Sequence, residues 1–343
     1  MKLGLGIGYS GAKMEVPMQM ILRAEELGFD SVWTAETYGS DAITPLAYIG
    51  ALTKKIKLAT GIVQLAARSP ANLAMCAQTI DAMTGGNRMM VGIGVSGPQI
   101  VEGWYGQPWG KPNTRLRDYV AIIKKILKRE GPVSHDGREI QLPYKGPGAI
   151  GLGKPLKSIL HGNANIPILL GTSTPGNIRM TAEVADGWMS MSWSPNGMKE
   201  FGAMLNEGLA KRKDGKTLKD FLIQGAGSVN ITNDVKQAID ALKPGIALYV
   251  GGMGAKDKNF HKDLMIEAGY GDAANRIQEL FMAGRKDEAA AAVPDEYVDN
   301  KQLVGPPDRI KQRWKGWADS GMTGFTVGRP TIEVVELMAK IAL

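Results

Sequence analysis

Residues 92–112 read GIGVSGPQIVEGWYGQPWGKP, and how this stretch folds decides the architecture. Its first six residues, Gly92–Gly97, spell G-x-G-x-x-G, and Gly6–Gly11 (GIGYSG) spell it again. A dinucleotide-binding turn needs its last glycine packed at the start of a helix, whose N-terminus then meets the pyrophosphate. After Gly97, prolines and glycines interrupt every possible helical run; after Gly11, a helical pattern begins only near Pro17. Neither stretch is a Rossmann turn. Both are expected as loops at the ends of strands, where glycine lets backbone approach a ligand closely or simply makes a tight turn.

Outward from these loops, short apolar runs alternate with amphipathic helical ones. Strands are expected at Leu3–Gly8, Ser31–Thr34, Ile56–Val63, Arg88–Gly94, Pro167–Gly171, Gly187–Met191, Leu222–Ile231 and Thr323–Gly328. Helices are expected over Pro17–Leu27, Ile43–Thr53, Pro70–Met83, Arg115–Arg129, Gly176–Ala185, Asn196–Arg212, Asp234–Leu242 and Ile332–Ile341. Eight such units predict a closed (β/α)8 TIM barrel, with a doubly wound sheet as the alternative if a strand is false. Two excursions break the rhythm. Gly131–Asn165 carries seven glycines and four prolines, and a helical excursion spans about 246–299. With no linker between halves, the expectation is a single domain over 1–343 with two insertions.

The 44% hydrophobic and 22% charged composition is that of an ordinary globular protein. The net charge of +7 is dispersed, without the clustering and interleaved aromatics of a nucleic-acid surface, so no nucleic-acid partner is expected. No run reaches the length of a membrane span, and no secretory leader is visible, so a cytoplasmic protein without membrane contact is expected. The single cysteine, Cys76, excludes an internal disulfide and reads as a small core residue. His135, His161 and His261 lie far apart in sequence without metal-ligand spacing, so no metal site is expected. GTSTPG (Gly171–Gly176) misses the nucleophile elbow because Pro175 stands where its last glycine belongs. It suits an anion better: Gly171, Thr172, Ser173 and Thr174 end a strand and open a helix, presenting hydroxyls and backbone N–H groups to a phosphate.

The stretch TGIVQLAARSPANLAMCAQTIDAMTGGNRMMVGIG (Thr60–Gly94) carries R-x-P (Arg68, Pro70), T-x-D (Thr79, Asp81) and GG-x-R (Gly85, Gly86, Arg88). It resembles the signature region of the bacterial luciferase-like superfamily, in particular its branch of oxidoreductases that use the deazaflavin coenzyme F420. Gly94–Pro112, ALYVGGMGAKDKNFH (Ala247–His261) and PDEYVD (Pro294–Asp299) extend the resemblance along the chain. It implies a luciferase-like barrel with its cofactor at the C-terminal mouth, a small organic substrate, and commonly a homodimer through the second and third helices. It also implies a non-prolyl cis peptide at Gly61-Ile62, with the ring resting on Gly61, Ile62 and Val63. Cofactor phosphate and tail contacts are implied for Gly94, Val95, Ser96 and Gly97 and for Gly171–Thr174. Thr37 stands where sugar-phosphate-oxidising members have histidine, and Gly6 where methanopterin-reducing members have glutamate, so neither of those activities is expected.

Within that frame Glu36, which ends the second strand, is the first candidate for a proton carrier or hydrogen-bond anchor, with an ordinary ion-paired carboxylate as the alternative. Glu102 in the loop after strand four is the second, or else a solvated loop acid. Tyr9 and Ser10 are placed to orient a substrate carbonyl. Trp104, Tyr105 and Trp109 suggest a lid, or equally the packing of that loop. Arg68 and Lys111 are candidate partners for an anionic cofactor tail. An FMN-dependent monooxygenase and a non-catalytic cofactor-binding barrel remain the competing readings.

Overall fold

Short apolar runs buried on both faces pair as parallel strands wherever helices can cover them. In the computed structural model, which describes residues 1–253 and 259–343, eight of them form the barrel. They are β1 (Lys2–Gly8), β2 (Ser31–Thr34), β3 (Lys57–Thr60), β4 (Met89–Gly94), β5 (Ile168–Gly171), β6 (Gly187–Ser190), β7 (Leu222–Gly227) and β8 (Gly324–Gly328). Neighbours in space are neighbours in sequence; β1 pairs with both β2 and β8, and β3 pairs with β4 to close the ring. Helices Met18–Glu26, Thr44–Leu52, Pro70–Met83, Pro112–Lys128, Pro175–Val184, Gly197–Leu209, Pro307–Ala318 and Ile332–Ala342 follow the strands in turn. Of the resemblance stretches, Gly254–Lys258 lies outside the described residues.

The motifs between Thr79 and Arg88 brace the start of the barrel. Asp81 accepts from the backbone N–H groups of Asn87, Arg88 and Met89. The Arg88 guanidinium, 6% exposed, donates to the carbonyls of Ile56 and Thr53 and to the Thr53 hydroxyl. Gly85 and Gly86 make the turn between them at φ 91° and 84°, a region other residues seldom adopt. Because buried polar groups are costly unless paired, this network fixes where β3 and β4 begin.

Three elements depart from the sequence reading. The strand expected at Ile56–Val63 stops at Thr60, and Val63–Gln64 pairs separately with the end of β4. The strand expected at Leu222–Ile231 breaks at Ser228, whose N–H donates to Gln302; Val229–Ile231 then leaves the barrel to pair with Leu303–Gly305. The helix expected to end at Leu242 runs as Val235–Gly252 straight through Pro244. It packs on Gly271–Met282 and Lys286–Ala291 around Ile239, Val250, Ile277 and Leu280, a core of its own. The helix behind β7 is instead Pro307–Ala318, whose Trp314 and Trp317 stand edge-on to Phe325 of β8.

Inside the barrel, Trp33, Ala59, Met90 and Leu169 are buried together, with Met189 and Leu222 packed against them. Glycine is what makes room for the large members. A Cβ on Gly4 would lie 2.7 Å from Trp33 Nε1. A Cβ on Gly92 would lie 2.1 Å from the Thr60 carbonyl oxygen and 2.5 Å from Met189 Sδ. Backbone on one side and a packed thioether on the other leave no relief. Gly92→Ala is therefore expected to lower the unfolding free energy by about 3 kcal/mol, measured by urea denaturation; an unchanged midpoint would show that the interior yields freely.

Candidate active site

The C-terminal ends of the strands carry the residues singled out in the sequence. At β2 the chain leaves the barrel through Ala35 and Glu36, and Glu36 is 4% exposed. Its backbone N–H donates to the Ile62 carbonyl at 3.3 Å. Its carboxylate accepts from the N–H of Gln64 at 2.8 Å and of Ala42 at 3.0 Å, and from both guanidinium nitrogens of Arg68 at 2.9–3.1 Å. The Gln64 side chain donates back to the carbonyls of Glu36 and Thr37. These donors make the carboxylate a hydrogen-bond anchor, one of the roles expected of it, and ion-paired as in the alternative reading. The same geometry pairs Arg68, the expected partner of a cofactor tail, with Glu36 and, at 3.8 Å, with Asp41.

This anchor holds residues 61–64 in place. The Gly61-Ile62 peptide is cis, as the resemblance implied. Gly61 rests on the barrel interior, where its Cβ position is 2.9 Å from Met189 Cε and 3.1 Å from Trp33 Cε3. The Ile62 side chain lies across the ends of β4 and β5: a Cβ on Gly94 would be 2.9 Å from Ile62 Cγ1, and one on Gly171 would be 3.1 Å from Ile62 Cγ2. Ile62 thus covers the buried Gly94 and lies beside the half-buried Gly171, and together they form one shelf of aliphatic side chain laid on glycine backbone. Val63 is fully buried beneath the strand pair and takes no part in the shelf's surface.

Two loops flank the shelf. After β4, Val95 and Ser96 lead to Gly97, with Ser96 at a left-handed φ of 61°. After β5, the Thr172 hydroxyl pairs with Thr181 at 2.8 Å and is 6% exposed, so it faces inward. Ser173 is half-buried, and Thr174 precedes the helix Pro175–Val184 without capping it through its side chain. Pro175 has no N–H and the N–H groups of Asn177 and Ile178 donate to the Thr174 carbonyl, so the Gly176 N–H and the helix dipole make the electropositive end beside the shelf.

In the loop after β4, Glu102 is exposed and accepts from the N–H of Trp109 at 3.2 Å, a brace within the loop. Trp109 shares a small cleft with Leu65, Ala66, Val95 and Val101, so it ties the loop down, while Trp104 stays exposed. Lys111 is exposed where the next helix begins. Tyr105 turns back toward the anchor: burial raises its phenol above the ordinary value, and Glu36 adds to this while Arg68 opposes it. It therefore stays protonated, a donor, at neutral pH. On the β1 side, Ser10 and Ser40 exchange backbone-to-hydroxyl hydrogen bonds at 2.9 and 3.0 Å, and Tyr9 is partly exposed at the mouth. Arg329, just past β8, also stands here and was not singled out in the sequence. Its only local signal is a cation following the last strand's glycine.

A luciferase-like monooxygenase family model matches residues 5–324, and the chain belongs to that family of barrel oxidoreductases. It is 43% identical over 343 residues, 99% of both chains, to a Mycobacterium tuberculosis protein provisionally named a coenzyme F420-dependent oxidoreductase. It is 30% identical over 312 residues, 90% of this chain and 87% of the other, to the 5,10-methylenetetrahydromethanopterin reductase of Archaeoglobus fulgidus. Among solved structures, the F420-dependent tetrahydromethanopterin reductase of Methanopyrus kandleri matches with a TM-score of 0.79 at 22% identity, covering 99% of this chain and 97% of that one, a likeness of fold.

Removing Arg68 would leave the Glu36 carboxylate buried without a counter-charge. Arg68→Ala is expected to cost about 4 kcal/mol of stability, with Arg68→Lys recovering part of it. Denaturant unfolding checks this, and an alanine variant as stable as the parent would mean that water already reaches Glu36.

Proposed function

We propose that the protein is an F420-dependent oxidoreductase that passes hydride between the reduced deazaflavin and a small organic substrate. The observation that carries this reading is the shelf of Ile62, Gly94 and Gly171, where any larger side chain on either strand end would collide with Ile62. An aliphatic side chain laid on glycine backbone suits a flat ring, and the full-length relative named for F420 supports the choice of ring. Bound there, the deazaflavin supplies a two-electron hydride at a ring carbon.

The chain's own residues bind, orient and protect. Gly61 and Ile62, held by Glu36 and Arg68, support the ring, and Val63, buried behind them, only backs the shelf. Gly94, Val95, Ser96 and Gly97 border it, and Gly171, Ser173 and Thr174, with the open helix end, take the phosphate of the tail, while Thr172, turned inward onto Thr181, holds that loop. Tyr9 is the side chain in this proposal that donates a hydrogen bond or proton to the substrate; Tyr105, kept protonated by burial, supports the closed loop above Glu36. The hydroxyls and aromatics at the mouth serve to exclude water from the transfer.

Fluorescence titration with F420 and with FMN tests the assignment. F420 is expected to bind in the micromolar range or tighter, and Gly171→Val to weaken it at least tenfold by displacing Ile62. Tight binding of FMN alone would favour the monooxygenase reading, and binding of neither the idle barrel.

The protein is also proposed to be a homodimer. Tyr48 and Leu52 on helix Thr44–Leu52, and Met75 and Met83 on the adjoining helix Pro70–Met83, are all exposed. Apolar side chains so grouped on neighbouring helices mark an interface. Sedimentation should show a dimer that Tyr48→Glu together with Met75→Glu converts to monomer; a monomeric parent would refute it.

A further inference from the structure

We infer that Arg329 and Tyr9 form a receptor for the anionic group of the substrate, so that the reaction's organic partner carries a carboxylate or a similar oxyanion. This rests on the proposed ring site and adds the chemistry of what lies opposite it.

The placement follows from the strand order. In a ring of eight strands taken in sequence, β8 lies opposite β4 and β1 opposite β5. The ends of β4 and β5, Gly94 and Gly171, belong to the shelf. Arg329, immediately after β8, and Tyr9, immediately after β1, therefore stand across the mouth from it. A substrate between them would have the ring on one side and these two side chains on the other.

The side chain itself is held but not neutralised. Its guanidinium carbon lies 5.8 Å from the centre of the Tyr9 ring, and Nη2 is 3.4 Å from the Tyr9 carbonyl oxygen. Gly8, at φ 69°, leaves the room: a Cβ there would lie 3.1 Å from Nη2. Among the described residues no carboxylate lies within salt-bridge distance of Arg329, whereas the other arginine at the mouth, Arg68, is paired with Glu36. The guanidinium forked face is thus available for bidentate contact with an oxyanion.

The backbone supplies an independent sign. Arg329 adopts φ 43°, a left-handed conformation that a long side chain seldom takes, and its N–H is fixed to the Gly6 carbonyl at 2.7 Å. Such outliers cluster at ligand sites, where the surroundings enforce them. Of the four non-glycine residues with positive φ among the described residues, Asn87 suits the conformation and Arg129 closes a helix, while Ser96 and Arg329 both lie at the mouth.

Calorimetric titration with benzoate and with benzamide, on protein loaded with F420 and on protein without it, tests the inference. The parent is expected to bind the acid at least tenfold more tightly than the amide in both forms. Arg329→Asn, chosen because asparagine tolerates the left-handed backbone, should abolish that preference while leaving the melting temperature and F420 affinity unchanged; Arg329→Lys should retain a reduced preference. Equal binding of acid and amide by the parent, or a preference that survives in Arg329→Asn, would overturn it. A tenfold loss of F420 affinity in Arg329→Asn would also overturn it, by assigning the cation to the cofactor tail. If F420 fails to bind at all, the proposed function falls, and the cofactor-free titration still decides whether Arg329 receives an anion.

Discussion

The buried ion pair of Glu36 and Arg68 is the constraint on which the mouth of this barrel depends. Four polypeptide segments meet at one carboxylate: the end of β2, the stretch after β3 through Gln64, the Ala42 turn, and the start of the third helix through Arg68. A buried carboxylate must find donors, and the donors available are the backbone groups that fix the position of Ile62. Electrostatic necessity at Glu36 thereby becomes geometric precision at the shelf.

Glycine completes what the pair begins. Inside the barrel, Gly4 and Gly92 let Trp33 and Met189 close the interior; at the strand ends, Gly94 and Gly171 let the Ile62 side chain lie against the backbone. The division explains why so many glycines sit in β-strands, where they weaken the strand itself. Asp81 and Arg88 do comparable work at the opposite end, fixing strand starts without touching the site. The recurrent motifs of the chain are thus partly structural, and their presence says more about the barrel than about its chemistry.

Most of the barrel was legible because its signals are local. Ser31–Thr34 and Pro70–Met83 are found where the apolar runs and the proline start placed them, and Gly6–Gly11 runs into a loop, whereas Gly97 leads directly into the short helix Pro98–Val101, against the expectation of a loop there. The departures arise where tertiary contacts override local signals. Pro244 reads as a helix end, yet Lys243, buried against Asp240 and Asp295, and the apolar face beyond it carry the helix on. The break at Ser228 depends on Gln302, far along the chain. At the site, the residue types were legible and their partnerships were not. The sequence allows an ion pair for Glu36, but nothing in the spacing of Glu36 and Arg68 says that they are each other's partner. Glu102 looked catalytic in sequence and braces a loop in space. Arg329 was missed because its meaning comes from β1 lying beside β8.

The most direct measurement is a crystal structure of the protein soaked with F420. The expected result is the deazaflavin ring in van der Waals contact with Ile62 and spanning the ends of β4 and β5, with the Glu36–Arg68 pair intact beneath it. A ring bound elsewhere, or a carboxylate of Glu36 released from Arg68 to meet the ligand, would contradict that placement.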